Sequence, residues 1–233
     1  MIPCVSVENM RSSDAYTIAN FVSSLELMYR AAWGIFQAAS WQGRVAIVTG
    51  SGNNGGDGFA LASILKEQGI DCTIFTVAGR LSGDSAYYAE MARRKNIEEL
   101  KFTEGCLNGF TIVVDCLLGT GFQGRIRDNY RTAIEEINRS CAYIVSADIN
   151  SGMNGDTGDA EIAVKSDLTV TIGFVKKGLI SAGAEKYIKR LVCTDIGIVL
   201  EKEEYWISEN VEVTNSVVLK CPDWLDMNIQ KAY

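Results

Sequence analysis

The sequence predicts an α/β fold in which helices cover both faces of a mostly parallel β-sheet. Two observations lead to this prediction: short apolar segments alternate with longer segments of helical periodicity, and glycines follow several of the apolar segments. Six segments have the length and composition of buried strands. They are residues 44–50, 71–77, 110–115, 142–149, 167–173 and 190–197. Repeated strand–loop–helix units of this kind form parallel sheets.

The predicted helices lie before and between these strands. Residues 12–39 carry apolar side chains at intervals of three and four, which predicts a helical N-terminal segment of two helices. Further helices are predicted at residues 58–69, 82–95 and 127–140, and a charged, irregular segment follows from Glu201. The chain has no Gly/Ser-rich linker and no internal repeat, so we expect residues 1–233 to form a single domain.

Composition limits the classes of function. Of the 233 residues, 47% are apolar and 22% are charged, and no apolar run reaches the roughly 18 residues that a membrane span needs. The first residues lack the basic and apolar regions of a secretory signal, so a cytoplasmic protein without membrane segments is expected. The net charge of −7 repels phosphate backbones, which favours a small-molecule partner over a nucleic acid.

The available side chains also restrict the chemistry. The sequence contains no histidine, and its seven cysteines include no C-x-x-C pair, so a zinc site is not expected. Without histidine, the usual general base and the histidine-assisted nucleophiles are excluded. Acid–base chemistry must therefore rely on carboxylates, lysines, tyrosines or water.

The segment after the first predicted strand has the composition of an anion site. Residues 52–58 contain four glycines and lead into a helix, so their backbone can approach a phosphate at the helix N-terminus. Gly50, Gly52 and Gly55 also match the G-x-G-x-x-G pattern of dinucleotide-binding proteins. That pattern requires an acidic residue at the end of the second strand, whereas Asp71 lies at its beginning. An ordinary NAD-dependent oxidoreductase is therefore disfavoured, and a tight turn that merely needs glycines is the alternative.

Carboxylates end two further predicted strands. Asp115 and Asp148 each follow an apolar run, where a carboxylate either caps the next turn or points into the crevice at the strand ends. Together with Asn54 and Ser151 they supply several hard oxygen donors at neighbouring strand ends. Such donors suit an alkali or alkaline-earth cation rather than a soft metal, and composition alone leaves the choice of cation open.

These motifs, in this order and spacing, resemble those of the NAD(P)HX epimerases, also called the YjeF N-terminal domain family. The resemblance extends from about Arg11 to Gly197 and rests on five segments. They are GSGNNGGDG at 50–58, VDCLLGTG at 114–121, ADINSGMNGDTG at 147–158, DLTVTIG at 167–173 and KKGL at 176–179. The resemblance implies a Rossmann-like three-layer sandwich, a homodimer, and interconversion of the R and S forms of hydrated NADH or NADPH in nicotinamide nucleotide repair. A separate dehydratase activity would consume one epimer.

The resemblance also implies roles for individual residues. The substrate would be bound by Asn53, Asn54, Gly55, Gly56 and Asp57. The phosphates would be held by Gly119, Thr120, Gly121, Phe122, Gln123, Gly124 and Arg125. One potassium ion per subunit would be bound by Asn54, Asp115 and Ser151, and Asp148 would be the substrate-binding and catalytic acid–base residue.

The sequence departs from the family pattern where the family has prolines. Asn150 replaces a proline between Asp148 and Ser151, and Val175 and Lys177 replace two prolines of a later element. Loss of proline frees the backbone, so the loop that carries Asp148 is expected to be looser. This departure motivates a second hypothesis, in which the protein is a nucleotide-binding scaffold or partner-binding module with weak or no turnover. Whether the chain is a stand-alone epimerase or a piece of a bifunctional protein stays open.

Overall fold

The computed structural model describes residues 2–77, 79–122, 124–204, 206–207 and 211–215. Within these residues, eight strands form one sheet in which every neighbouring pair is parallel. They are β2 (Val45–Thr49), β3 (Cys72–Thr76), β4 (Glu98–Lys101), β5 (Ile112–Cys116), β6 (Tyr143–Ala147), β7 (Leu168–Ile172), β9 (Leu191–Asp195) and β11 (Glu212–Asn215). Their order across the sheet is β11-β9-β7-β6-β5-β2-β3-β4. The predicted mostly parallel sheet is confirmed.

A small second sheet joins the two ends of the described chain. It has the order β10-β1-β8, where β1 is Ile2–Val5, β8 is Val175–Lys176 and β10 is Trp206–Ile207. Strand β1 runs parallel to β8 and antiparallel to β10. This pairing holds Lys176 just beyond the carboxyl end of β7, and a short 3₁₀ helix (Lys177–Ile180) follows.

Five α-helices occur in the described residues: α1 (Val7–Asn20), α2 (Ser24–Ala38), α3 (Asn53–Glu67), α4 (Gly83–Arg94) and α5 (Asp128–Arg139). Helix α1 begins at Val7 rather than at Ser12 because the side chain of Ser6 accepts a hydrogen bond from the Asn9 amide at 3.2 Å and caps the helix. Helix α3 begins at Asn53, so the glycine-rich motif occupies the first turns of the helix rather than a loop before it.

Alternate residues of the strands face two different helical layers. Val45 and Ile47 pack in a core with α2, α3 and α4, whereas Ala46 and Val48 pack on the opposite face against α5. The three-layer architecture predicted from the sequence is thus confirmed. No helix in the described residues is long and apolar enough to cross a membrane.

The strand order determines where a ligand site can form. From β2 the chain continues to β3 and β4 on one side, and it then returns to β5 on the other side of β2. The loops after β2 and β5 therefore diverge, which leaves a crevice at the carboxyl edge of the sheet.

Candidate active site

A cavity of about 500 Å³ opens at this crevice. Its wall combines the first turn of α3, the loop after β5, Asp148 after β6, Ile172 at the end of β7, and Lys176 in β8. Helices α1 and α2 close it from the side, with Asp14 and Met28 among the lining residues. The cavity lies within the size range of small-molecule sites.

Most of the residues that the sequence assigned to the substrate lie in this cavity. Those that line it are Asn53, Asn54, Asp57, Gly119, Thr120, Gly121, Phe122 and Asp148. Gly55, Gly56, Gly124 and Arg125 are not among the lining residues, and Gln123 lies outside the described residues. Asp115 and Ser151 are fully buried beneath the cavity floor.

The glycines of α3 allow close packing. A Cβ atom on Gly55 would lie 2.2 Å from the carbonyl oxygen of Gly50, and one on Gly56 would lie 2.7 Å from Sδ of Met28. The first turn is closed by a hydrogen bond from the Gly56 amide to the Gly52 carbonyl at 3.2 Å. The preceding amides of the helix have no partner within it, so this end still favours an anion.

Asp148 stands opposite this helix end. Its backbone has a φ of +63°, a left-handed conformation that is unusual for a residue other than glycine. Its Oδ1 atom accepts hydrogen bonds from the Ile172 amide at 3.2 Å and from the ammonium group of Lys176. The Lys176 side chain is only 1% exposed, and that of Asp148 is 15% exposed.

Two further carboxyl groups face the same cavity. Asp57 is buried on α3, and burial together with the charges of Asp148 and Asp14 raises its pKa well above the usual range. Burial and the charge of Asp148 also raise the pKa of Asp14 on α1. The charge of Lys176 acts in the opposite direction at both residues. A buried carboxyl group whose pKa is raised beside other carboxyl groups is typical of acid–base sites.

Asp115 connects the ends of two neighbouring strands, β5 and β6, below the cavity. Its Oδ1 atom accepts hydrogen bonds from the Leu117 amide and the Ser151 hydroxyl, and its Oδ2 atom accepts from the Ser146 hydroxyl at 3.0 Å and the Ser151 amide at 2.9 Å. Burial raises the pKa of Asp115, and these hydrogen bonds act to lower it. Asp115 is therefore a turn-capping residue in this structure, as one of the two sequence interpretations expects.

Asn54 contributes an oxygen without a partner. Its Nδ2 atom donates to the Leu118 carbonyl at 3.1 Å, while its buried Oδ1 atom has no hydrogen-bond partner among the described residues. The Ser151 hydroxyl lies 3.2 Å from the same Leu118 carbonyl. The Asn54 amide and the Ser151 hydroxyl thus meet at the Leu118 carbonyl, and Ser151 also bonds Asp115, so the donors here are hard oxygens of the kind that suits an alkali or alkaline-earth cation. No cluster of three or more His, Cys, Asp or Glu side chains suited to a metal occurs in the described part of the chain.

Asn150, which replaces the family's proline, restrains its loop through its side chain. The two hydrogens of its Nδ2 atom are shared among three acceptors: the Val164 carbonyl at 2.9 Å, the Ser166 hydroxyl at 3.0 Å and the Tyr187 carbonyl at 3.1 Å. Its Oδ1 atom accepts from the Thr169 hydroxyl at 2.6 Å. These buried hydrogen bonds restrain the residue between Asp148 and Ser151, where the missing proline led us to expect a looser loop.

Four charged residues of the cavity, Arg11, Asp14, Asp84 and Lys176, have no role in the sequence prediction. Asp14 and Arg11 come from α1, and the Arg11 guanidinium donates to the Thr120 carbonyl at 2.9 Å. Neither residue belongs to a recognisable motif. Lys176 lies in the KKGL segment, so a sequence signal existed, but its contact with Asp148 depends on the turn after β7 and on the pairing of β8 with β1.

Comparison with known proteins identifies the family. Residues 24–178, more than half of the chain, match the family model described as YjeF-related protein N-terminus. The chain belongs to this family. The YjeF-related motifs supply the first turn of α3, the loop after β5 and Asp148, and these elements line the cavity described above.

Named relatives and a solved structure agree with this placement. The chain is 34% identical over 207 residues to an NAD(P)H-hydrate epimerase from Lentilactobacillus buchneri, covering 85% of this chain and 96% of the relative. It is 34% identical over 196 residues to the bifunctional NAD(P)H-hydrate repair enzyme Nnr of Coxiella burnetii, but that match spans only 40% of the relative's length. The crystal structure of the yeast protein YNL200c superposes with a TM-score of 0.74 at 18% identity, covering 91% of this chain and 98% of that one. This last likeness concerns the fold.

Proposed function

We propose that this YjeF-related protein interconverts the R and S epimers of hydrated NADH and NADPH. The observation that supports this most is the position of Asp148, which faces a cavity of about 500 Å³ lined by the segments that the family shares. Relatives of matching length are named NAD(P)H-hydrate epimerases. The substrate-binding residues that line the cavity would be Asn53, Asn54, Asp57, Asp148 and the segment 119–122.

The proposed reaction needs a group that moves a proton. The hydrated nicotinamide ring carries a hydroxyl group on a carbon next to the ring nitrogen. The configuration of this carbon is lost when its bond to the hydroxyl oxygen breaks. The electron pair of that bond stays on the oxygen, which takes up a proton and leaves as water. The lone pair of the ring nitrogen forms a C=N bond to the carbon at the same time. Water then adds to the other face and gives up a proton. Asp57 is suited to donate because its pKa is raised, and Asp148 would accept; exchange with solvent then returns a proton to Asp57 and removes one from Asp148 before the next turnover.

The acidic cavity also suits the charge of this intermediate. The ring becomes cationic when the hydroxyl leaves, and Asp14, Asp57 and Asp148 surround the space in which it would form. Carboxyl groups held in place before the reaction stabilise such a charge without reorganising. The phosphates of the nucleotide would lie at the free amides of α3 and at the loop after β5.

We propose that a potassium ion is held by Asn54, Asp115 and Ser151. The ion would place a positive charge beside the buried Asp115, and the Oδ1 atom of Asn54, which has no hydrogen-bond partner among the described residues, would coordinate it. The melting temperature should then be higher in potassium chloride than in tetramethylammonium chloride at equal ionic strength. Asn54→Leu should remove that difference. A melting temperature that is the same in both salts would contradict the assignment and leave the nucleotide site untouched.

The epimerase proposal is tested with a coupled assay. Pure R epimer is incubated with this protein and a dehydratase that consumes only the S epimer. Complete consumption well above the spontaneous rate supports an enzyme, whereas retained nucleotide binding without acceleration supports the scaffold alternative. The homodimer, the cytoplasmic location and the dehydratase partner belong to the same proposal, and sedimentation of the purified protein tests the first of them.

A further inference from the structure

Lys176 occupies a restrained position under the cavity. Its side chain is 1% exposed, and its ammonium group donates to Oδ1 of Asp148, to the Thr171 hydroxyl at 3.2 Å and to the Ile172 carbonyl at 2.7 Å. An ammonium group has three N–H donors, and three acceptors surround this one. The charge is therefore held in one place rather than rotating between partners.

The two oxygens of Asp148 have different surroundings. Oδ1 accepts hydrogen bonds from Lys176 and from the Ile172 amide. Oδ2 has no hydrogen-bond partner among the described residues, and it lies 3.9 Å from the position that a Cβ atom on Gly119 would take. Gly119 belongs to the cavity wall. The carboxylate thus presents one free oxygen towards the loop after β5.

Several other groups act on this pair. Asp57 on α3 and Asp14 on α1 interact electrostatically with both Asp148 and Lys176, and Asp84 on α4 acts on Asp14. Cys193 on β9 is also near, and burial raises its pKa to about 11, so it is uncharged at neutral pH. Asp148 therefore lies among carboxyl groups on two helices and beside one ammonium group.

We propose that Lys176 is a positioning residue for Asp148: it holds Oδ1 so that Oδ2 receives the proton during epimerisation. This inference rests on the proposed epimerase function. The three donors of Lys176 are engaged by Asp148, Thr171 and the Ile172 carbonyl, an arrangement suited to holding the carboxylate in place.

The test compares three substitutions with the wild-type protein in the epimerisation assay. Lys176→Met removes the charge at similar size, Lys176→Arg keeps the charge, and Lys177→Met is the matched control. Lys177 is the next residue in the chain, but it is exposed and pairs with Glu204 outside the cavity. Lys176→Met should lower kcat by roughly 10²-fold, with a much smaller change in KM, and move the acid limb of the kcat profile to higher pH. Lys176→Arg should restore part of kcat, and Lys177→Met should match the wild type.

Loss of activity in Lys176→Met with an unchanged pH profile and no recovery in Lys176→Arg would overturn the proposal. If Lys176→Met does not fold, Lys176→Gln replaces it, because glutamine keeps a donor without the charge, and the same results are expected.

An inactive wild type would refute the epimerase function instead. Lys176 is then judged by ¹³C NMR of the Asp148 carboxyl group, assigned with Asp148→Asn. A titration at higher pH in Lys176→Met supports positioning, and an unchanged titration overturns it.

Discussion

Replacement of Asn150 by alanine tests whether a buried side chain has taken over the role of the family's proline. Asn150 is fully buried and makes four hydrogen bonds that connect the loop after β6 to residues 164–187. Alanine removes all four. The Ser166 and Thr169 hydroxyls can still bond each other, since they lie 2.7 Å apart, but two backbone carbonyls lose a donor.

The expected loss of stability follows from these contacts. A buried hydrogen bond contributes about 0.5–1.5 kcal/mol, and an unpaired buried group costs more. With partial compensation by the two hydroxyls, Asn150→Ala should lower the free energy of unfolding by roughly 2–4 kcal/mol. For a chain of this size that corresponds to a fall in Tm of roughly 5–15 °C. The kcat should fall as well, because the same loop carries Asp148.

Chemical and thermal unfolding, followed by circular dichroism, measure the effect. Asn129→Ala is the control, because Asn129 is exposed and makes one hydrogen bond, to the Val77 carbonyl at 3.2 Å. The control should change stability by less than about 0.5 kcal/mol. Equal effects of Asn150→Ala and Asn129→Ala would refute the view that the Asn150 side chain restrains the loop.

Two further substitutions test the packing and the electrostatics of the cavity wall. Gly55→Ala should destabilise the fold by roughly 1–3 kcal/mol, because its Cβ atom would meet a backbone carbonyl at 2.2 Å. Gly52→Ala is the control and should be tolerated, since no atom lies within 4 Å of the added carbon. Similar unfolding curves for the two variants would contradict this prediction. Asp57→Asn should stabilise the protein at neutral and higher pH. Because folding raises the pKa of Asp57, its contribution to stability is greatest below its unfolded pKa and is lost as pH rises through the folded value. The increase in Tm of Asp57→Asn over the wild type should therefore grow from pH 4 to pH 8. An increase seen only at low pH would contradict a raised pKa of Asp57.

The parallel sheet could be predicted because its central strands are buried on both faces. Strands such as β2 and β5 begin with apolar runs and are buried along their whole length, and the loops that follow them carry polar residues and glycines. Edge strand β4 was missed, since its sequence Glu98–Lys101 is mostly charged and its side chains are largely exposed. Backbone pairing with β3, rather than any apolar pattern, places it in the sheet.

The chemistry of the site was predicted in part. Asp148 could be placed from its position after an apolar strand, and the cavity includes it. The start of α3 was misplaced because glycines within the motif indicate a loop, whereas close approach to Gly50 requires them inside a helix. The roles of Asn150 and Lys176 could not be predicted, since their partners lie 14–37 and 4–28 residues away and are brought together only by the fold.

Direct observation of the two epimers tests most simply whether Asp148 in this cavity catalyses epimerisation. Purified R epimer, followed by NMR without any dehydratase, should convert to an R and S mixture far faster with the wild-type protein than without it. Asp148→Asn should lower this rate by at least about 10²-fold, because the amide keeps the shape but cannot accept the proton. A wild-type rate in Asp148→Asn, or no acceleration by the wild-type protein, would contradict the account.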